Sequence, residues 1–170
     1  MNSGTLVASL IFATVLVVVI AVVIQLMLRG WSRRSQRQAD LIGALPPMPE
    51  WTGSASITTR GVYVGCAMAP VWSERITAGD LGYRSRAVLS RYSEGVLVQR
   101  HRAQPIWIPK ESISAIRTER GVAGKVAARD GILVIRWRLP SGVKIDTGFR
   151  ANNRDEYVSW LQSWPEGVAL

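Results

Sequence analysis

The sequence predicts a mainly β protein that has one membrane-spanning helix at its N-terminus and one short helix at its C-terminus. Three observations predict this organisation. An uncharged apolar run covers residues 5–28, apolar and polar residues alternate along several segments between residues 57 and 150, and aromatic residues recur at helical spacing in residues 157–164. The second observation indicates strands, since a strand with one buried face repeats every two residues.

The N-terminal run contains neither a charged residue nor a proline. As a helix, residues 5–28 would be about 36 Å long, against roughly 30 Å for the hydrocarbon core of a bilayer. A cleaved signal peptide is the alternative, but its apolar region is usually about 7–15 residues long and follows a basic segment. We therefore expect residues 1–28 to be an uncleaved transmembrane anchor.

Basic residues follow this run directly: Arg29, Arg33, Arg34 and Arg37. Such flanks stay on the cytoplasmic side, so we expect an inner-membrane protein with its N-terminus outside and its C-terminal domain in the cytoplasm. The same arginines, together with Trp31, are candidates for contacting the membrane surface and its anionic headgroups. A topology signal without lipid specificity is the simpler interpretation.

The next segment is expected to connect the anchor to a folded domain. Residues 29–50 are predicted to form a basic juxtamembrane helix and then a linker, where Pro46, Pro47 and Pro49 end the helix because proline removes backbone donors. Residues 51–170 are expected to form the domain.

Seven strands are predicted in this domain, and no spacing of the βαβ type occurs among them. They are expected near residues 57–65, 87–92, 96–100, 105–109, 113–119, 133–139 and 143–150. A flexible loop is expected at residues 121–131. The turn Pro140–Gly142 makes the last two strands a hairpin.

The chain then changes to a helical pattern. Asn153 and Glu156 resemble a capping box, in which each side chain bonds the exposed amides at the start of a helix. A stripe of larger residues follows on one face: Tyr157, Trp160, Leu161 and Trp164. We expect this stripe to pack on the sheet, because the opposite face lacks the basic run of a lipid-binding helix.

Local sequence resembles a known family. Glu94–Val98, followed by Ile106–Ile113, looks like the "E-G-L-hydrophobic, then I-P-x-x-x-I" run of bacterial pleckstrin-homology-like (PH-like) domains. Residues Gly79–Ala87 and Asp130–Trp137 resemble actinobacterial single-pass PH-like membrane proteins, some of which carry a transporter or export label. The resemblance implies a seven-stranded antiparallel barrel with one C-terminal helix. Barrels of this kind bind lipid headgroups, peptides or proteins, and the basic pair of eukaryotic inositide binders is absent here.

The sequence offers no catalytic, cofactor or metal site. His101 is the single histidine and falls in a predicted loop, and Cys66 ends an apolar strand, where a buried inert thiol is expected. Residues 121–125 have too few residues between their glycines for a phosphate loop. We therefore predict that the protein is not an enzyme and expect no small-molecule substrate.

Basic residues remain as binding candidates, since the formal net charge is +9. Arg136 and Arg138 share one predicted strand face, and Lys144 lies on the neighbouring strand. A solvated polar face is one interpretation, and a cationic surface for an anionic leaflet or an acidic partner is the other. Nucleic acid is not expected, because no aromatic stacking platform is evident.

The sequence thus predicts a non-catalytic scaffold at the membrane that docks a protein partner or anionic lipid. An accessory subunit of a transport or export complex is the alternative. That complex would need further helices, because one uncharged helix cannot form a pore.

Overall fold

A computed structural model describes residues 3–50, 53–126 and 131–162 of the chain. The chain divides into two compact units, Met1–Arg37 and Gln38–Leu170. Helix α1 covers Ser3–Ile42, and its segment Val7–Gly30 is long and apolar enough to cross a membrane, with none of its most apolar stretch buried inside the protein. This length and composition agree with the predicted anchor and are also found in signal sequences.

The C-terminal end of α1 belongs to the second unit. The helix ends at Ile42, and Gly43 follows with a positive φ of 65° and donates its N–H to the carbonyl of Ala39 at 2.9 Å. Glycine accepts this conformation without a Cβ penalty, so Gly43 ends the helix. The prediction that Pro46, Pro47 and Pro49 end it is therefore wrong, because the helix ends before them. Ile42 is buried in the domain core.

The strands match the predicted ones closely. Their bounds are β1 (Ile57–Met68), β2 (Ser85–Tyr92), β3 (Gly95–Arg100), β4 (Ile106–Pro109), β5 (Ile113–Glu119), β6 (Gly121–Val122), β7 (Lys125–Val126), β8 (Ile132–Arg138) and β9 (Lys144–Ala151). Seven of them form one antiparallel sheet in the order β4-β3-β2-β1-β9-β8-β5.

The sheet curls into a barrel, and its central strand is β1. Its first part pairs with β2, from Ile57 to Tyr63, and its second part pairs with β9, from Gly61 to Met68. Strands β4 and β5 are the two edges of the sheet, yet only the 3-10 turn Lys110–Ser112 separates them in the chain. The sheet must therefore bend back on itself, and the large buried side chains fill its interior. Among these are Tyr63, Leu89, Ile135, Trp137 and Phe149.

The C-terminal helix closes this arrangement. Asn153 accepts a hydrogen bond from the amide of Asp155 at 3.1 Å, which begins a 3-10 turn over Arg154–Glu156, and helix α2 follows over Tyr157–Gln162. Tyr157 and Trp160 are buried, as the stripe predicted, whereas Leu161 is exposed. Trp164 lies outside the described residues.

The predicted loop after β5 is partly a hairpin. Strands β6 and β7 pair with each other, and Val122 and Ala123 pack on Val64, Ile132 and Val134 on the outer face of the sheet. The expectation of a flexible loop is therefore wrong for residues 121–126, which form a hairpin whose apolar residues pack on the sheet. Residues 127–130 of that predicted loop lie outside the described residues.

Candidate functional site

The residues predicted to form a basic face do lie on one face. Arg138 and Lys144 are direct cross-strand partners on β8 and β9, and both are exposed. Arg136 is two residues before Arg138 and lies on the same face, half-buried. Its guanidinium is engaged within the domain, because its Nε and Nη2 donate to the two carboxylate oxygens of Asp146 at 2.8 Å each.

Asp146 organises an ion-pair cluster here. It is 2% exposed and also accepts a hydrogen bond from Arg117 at 2.9 Å, and Arg117 donates in turn to Glu119 at 2.7 Å. Burial alone would raise the pKa of Asp146, but the hydrogen bonds from Arg136 and Arg117 outweigh it and hold that pKa below its ordinary value. The cluster therefore ties β5, β8 and β9 together and removes Arg136 from the set of available cations.

The juxtamembrane candidates are described only in part. Arg29 lies in α1 within the apolar segment's C-terminal end, and its side chain is exposed. For Trp31, Arg33, Arg34 and Arg37 the structure describes the helical backbone but not the side chains.

The structure brings together a different group of basic residues, which we call the cationic cleft. It is a concavity of about 730 Å³ on the outer face of the sheet, where β1, β2 and β3 meet the turn after β3. Its lining residues are Arg60, Gly61, Val62, Arg86, Ala87, Val88, Gln99, Arg100, His101 and Asn152. Arg60 and Arg86 are exposed, while Val62 and Val88 are half-buried and form an apolar floor.

Strand register adds a third arginine beside the cationic cleft. Val62 on β1 is the direct partner of Arg86 on β2 and of Arg150 on β9, so these three side chains share the outer face. Arg60 is two residues before Val62 and faces the same way. Arg60, Arg86 and Arg150 thus surround Val62. Among the described residues, no carboxylate forms an ion pair with any of them.

Two features hold the backbone of the cationic cleft. A Cβ on Gly61 would lie 2.2 Å from the carbonyl oxygen of Arg150, so glycine alone permits the approach of β1 to β9 at this row. Arg100 is buried and donates to the carboxylate of Asp80 at 2.8 Å and to the carbonyl of Gln104, which orders the turn after β3. Its guanidinium also lies 4.9 Å from the ring centre of Tyr63.

The second large concavity has a different electrostatic character. This groove of about 470 Å³ lies between Trp72, strand β5 and the β6–β7 hairpin. Its lining includes the carboxylates of Asp146 and Glu119, which offset the arginines around them. An anion is therefore bound less favourably there than in the cationic cleft.

The chain has one histidine and one cysteine: His101 lines the cationic cleft, and Cys66 is buried inside the barrel. His101 is exposed, and no acidic side chain orients it among the described hydrogen bonds and ion pairs. Burial raises the pKa of the Cys66 thiol, whose sulfur lies 3.2 Å from the Thr147 hydroxyl and 3.1 Å from the Tyr63 hydroxyl inside the barrel. A thiol in that state is a poor nucleophile. Exposed guanidiniums over an apolar floor can bind an anion.

The sequence pattern did not indicate this cleft. Arg60 and Arg86 come from different strands, and Arg150 joins them through the pairing of β1 with β9. The alternation of Arg60 with Val62 could have placed Arg60 on an outer face. The local sequence pattern does not show that β1 pairs with β9, the last strand of the barrel, and this pairing places Arg150 beside Val62.

One family model matches the chain. It is described as "Bacterial PH domain-like" and covers residues 42–165, which include all strands and α2. No curated protein has significant similarity to this sequence.

Proposed function

Because the chain belongs to the bacterial PH domain-like family, we propose that it is a membrane-anchored, non-catalytic binding module. Domains of this fold are generally binding modules. In the proposal, residues 1–28 anchor the chain, residues 29–50 form a basic juxtamembrane segment and linker, and residues 51–170 dock an anionic lipid or a protein partner.

The cationic cleft is the observation that carries this proposal. Arg60 and Arg86 are exposed and lack an acidic partner among the described residues, whereas Arg100, Arg117 and Arg136 are all held in internal ion pairs. A family of binding domains, a helix suited to a bilayer and an unneutralised cationic concavity agree with docking on an anionic surface.

The proposed placement follows from charge. Arg29, Arg33, Arg34 and Arg37 follow the uncharged apolar run of residues 5–28 on its C-terminal side, which favours an inner-membrane orientation with the domain in the cytoplasm. These arginines and Trp31 would then lie at the headgroup level of the bilayer. Two further exposed cations of the predicted basic face, Arg138 and Lys144, supply a second, smaller docking surface in this proposal.

The anchor is tested by its fate in cells. An uncleaved anchor keeps the chain in the membrane pellet after a sodium carbonate wash, with the intact mass of 18.7 kDa. A cleaved signal sequence would instead release a smaller, soluble product, and that result would contradict the proposal. A variant with Val17→Arg and Ile20→Arg in the apolar segment is the control, because two charges at the helix centre oppose insertion.

An accessory role in a transport or export complex is the alternative, and one observation favours it. Gln25 is the strongly polar residue of the uncharged run 5–28, and its side chain is exposed on α1, where it can hydrogen-bond a second helix. Crosslinking in cells, followed by mild detergent extraction and mass spectrometry, distinguishes the two. A transporter captured with the wild type and lost with Gln25→Leu supports the alternative.

A further inference from the structure

We propose that the cationic cleft is a binding site for the phosphate group of an acidic phospholipid, held by Arg60, Arg86 and Arg150. The inference rests on the proposed function and adds to it the residues and the chemical class of the ligand.

The register sets how these arginines are arranged. Arg86 and Arg150 flank Val62 from the two neighbouring strands, so their Cα atoms are about 9–10 Å apart across β1. Arg60 is diagonal to both, because its own partner on β2 is Val88 and its carbonyl accepts a hydrogen bond from Asn152, just after β9. Diagonal neighbours in a sheet lie about 7–8 Å apart. Three guanidiniums on this triangle can reach one anion above Val62.

Arginine suits a phosphate in particular. Its planar guanidinium offers paired N–H donors that match two phosphate oxygens, and it stays charged at every physiological pH. Gln99 and Asn152 add neutral amide donors at the edge of the cleft. Val62 and Val88 offer an apolar floor for the carbon atoms that join a headgroup to its lipid.

The electrostatic surroundings favour this cleft over the groove beside Trp72. Each arginine of the triangle is exposed and lacks an ion-pair partner among the residues that the structure describes. In the groove beside Trp72, by contrast, Asp146 and Glu119 face the arginines. An added anion therefore gains attraction from Arg60 and Arg86, which line the cleft, and from Arg150 beside it, without competing with a carboxylate.

Two observations favour a phospholipid as the source of the phosphate. The cleft, at about 730 Å³, is far larger than one phosphate and has the size of a typical ligand pocket. The chain also carries its own candidate membrane helix, and tethering to a bilayer gives the domain a high effective concentration of headgroups. A modest affinity for one headgroup is sufficient under those conditions.

The test uses the purified full chain in dodecyl maltoside micelles. Calorimetry measures binding of dihexanoyl phosphatidylglycerol at low ionic strength, with dihexanoyl phosphatidylcholine and inorganic phosphate as comparison probes. Arg60→Gln/Arg86→Gln removes two cations from the cleft. Lys110→Gln/Lys125→Gln removes two exposed cations that belong to neither basic surface, and it is the matched control since both variants change the net charge equally.

The expected result is binding of phosphatidylglycerol that the cleft variant weakens at least about tenfold and the control variant less than about twofold. Arg150→Gln is expected to weaken it by a smaller factor in the same direction. All these side chains are exposed, and near-ultraviolet circular dichroism confirms that each variant keeps its fold. If the cleft variant unfolds, Arg86→Gln alone, with at least about a threefold loss, replaces it.

Three outcomes would overturn the inference. They are no binding of phosphatidylglycerol by the wild type, an equal loss in the cleft and control variants, or binding of inorganic phosphate as tight as that of the lipid. None of them affects membrane retention or the crosslinking result, so a failure of this inference is distinguishable from a failure of the proposed function.

Discussion

The arginines of this domain form two groups: those that form an ion pair with a carboxylate of the domain, and those that are exposed to solvent without one. Arg100, Arg117 and Arg136 bond carboxylates that are wholly or partly buried, whereas Arg60 and Arg86 face solvent in the cationic cleft. The first group stabilises the fold and the second remains available to a ligand. Net charge alone could not separate these groups, because a paired and an unpaired arginine count equally in it.

Asp146 provides a test at this scale. Asp146→Asn removes the charge that Arg136 and Arg117 share, and we expect the free energy of unfolding to fall by about 2–3 kcal/mol, because hydrogen bonds to charged groups contribute roughly 1.5–3 kcal/mol. Glu119→Gln is the matched control, since its side chain is 44% exposed and an exposed pair contributes less than about 1 kcal/mol. Urea unfolding of the full chain in detergent, followed by near-ultraviolet circular dichroism, measures both. Equal losses would contradict the assignment of Asp146.

The same carboxyl predicts a pH dependence. Its pKa in the folded domain lies below the unfolded value of about 3.9, so the folded state binds the proton less tightly than the unfolded state. The stability that it contributes is therefore complete above about pH 4 to 5 and is lost as the pH falls through the folded value. The difference between the wild type and Asp146→Asn is expected to shrink on acidification. A difference that stays constant down to pH 2 would contradict this prediction.

At the scale of elements, helix α2 and strand β1 hold the barrel together. Trp160 is fully buried and donates its indole N–H to the Thr59 hydroxyl at 3.0 Å, which links the last described helix to the first strand. On β9, Thr147 accepts a hydrogen bond from Trp137 of β8 at 2.8 Å. The indole N–H groups of Trp137 and Trp160 thus both have partners. Removal of the Trp160 ring leaves a void and an unpaired Thr59 hydroxyl, whereas the Thr147 hydroxyl keeps its contact with the Cys66 sulfur at 3.2 Å.

Trp160→Ala tests the contribution of α2. We expect it to lower the free energy of unfolding by about 3–5 kcal/mol, the usual cost of deleting a buried tryptophan. Val158→Ala on the same helix is the control, because Val158 is 52% exposed and its loss is expected to cost less than about 0.5 kcal/mol. The same urea experiment measures both variants. A loss below about 1 kcal/mol for Trp160→Ala would show that α2 does not contribute to the core.

At the scale of the whole molecule, the proposed anchor implies an orientation of the domain relative to the membrane. The basic residues after the apolar segment favour the cytoplasm. The chain has a single cysteine, Cys66, which is buried, so a new surface cysteine can be labelled selectively. This property makes the orientation directly measurable in the full chain.

Two single-cysteine additions test the orientation in intact bacterial cells. Gly4→Cys introduces a thiol at an exposed position near the N-terminus, and Ser93→Cys introduces one in the exposed turn between β2 and β3. A membrane-impermeant maleimide is expected to label Gly4→Cys in intact cells and Ser93→Cys only after lysis. The unmodified chain is the control and should stay unlabelled while folded. Labelling of Ser93→Cys in intact cells would reverse the proposed orientation.

The sequence by itself determined the elements of this protein: one apolar helix, seven strands with bounds correct to within a few residues, and the start of a C-terminal helix at Asn153. These properties depend on the periodicity and capping of neighbouring residues, which a linear pattern contains. Tertiary structure alone decided that the β6–β7 hairpin packs on the sheet, that Asp146 neutralises Arg136, and that Arg60, Arg86 and Arg150 surround Val62. The physical reason is that Coulomb interactions and packing depend on distance in space, and strand pairing brings together residues that are as many as 90 positions apart in the chain, such as Arg60 and Arg150.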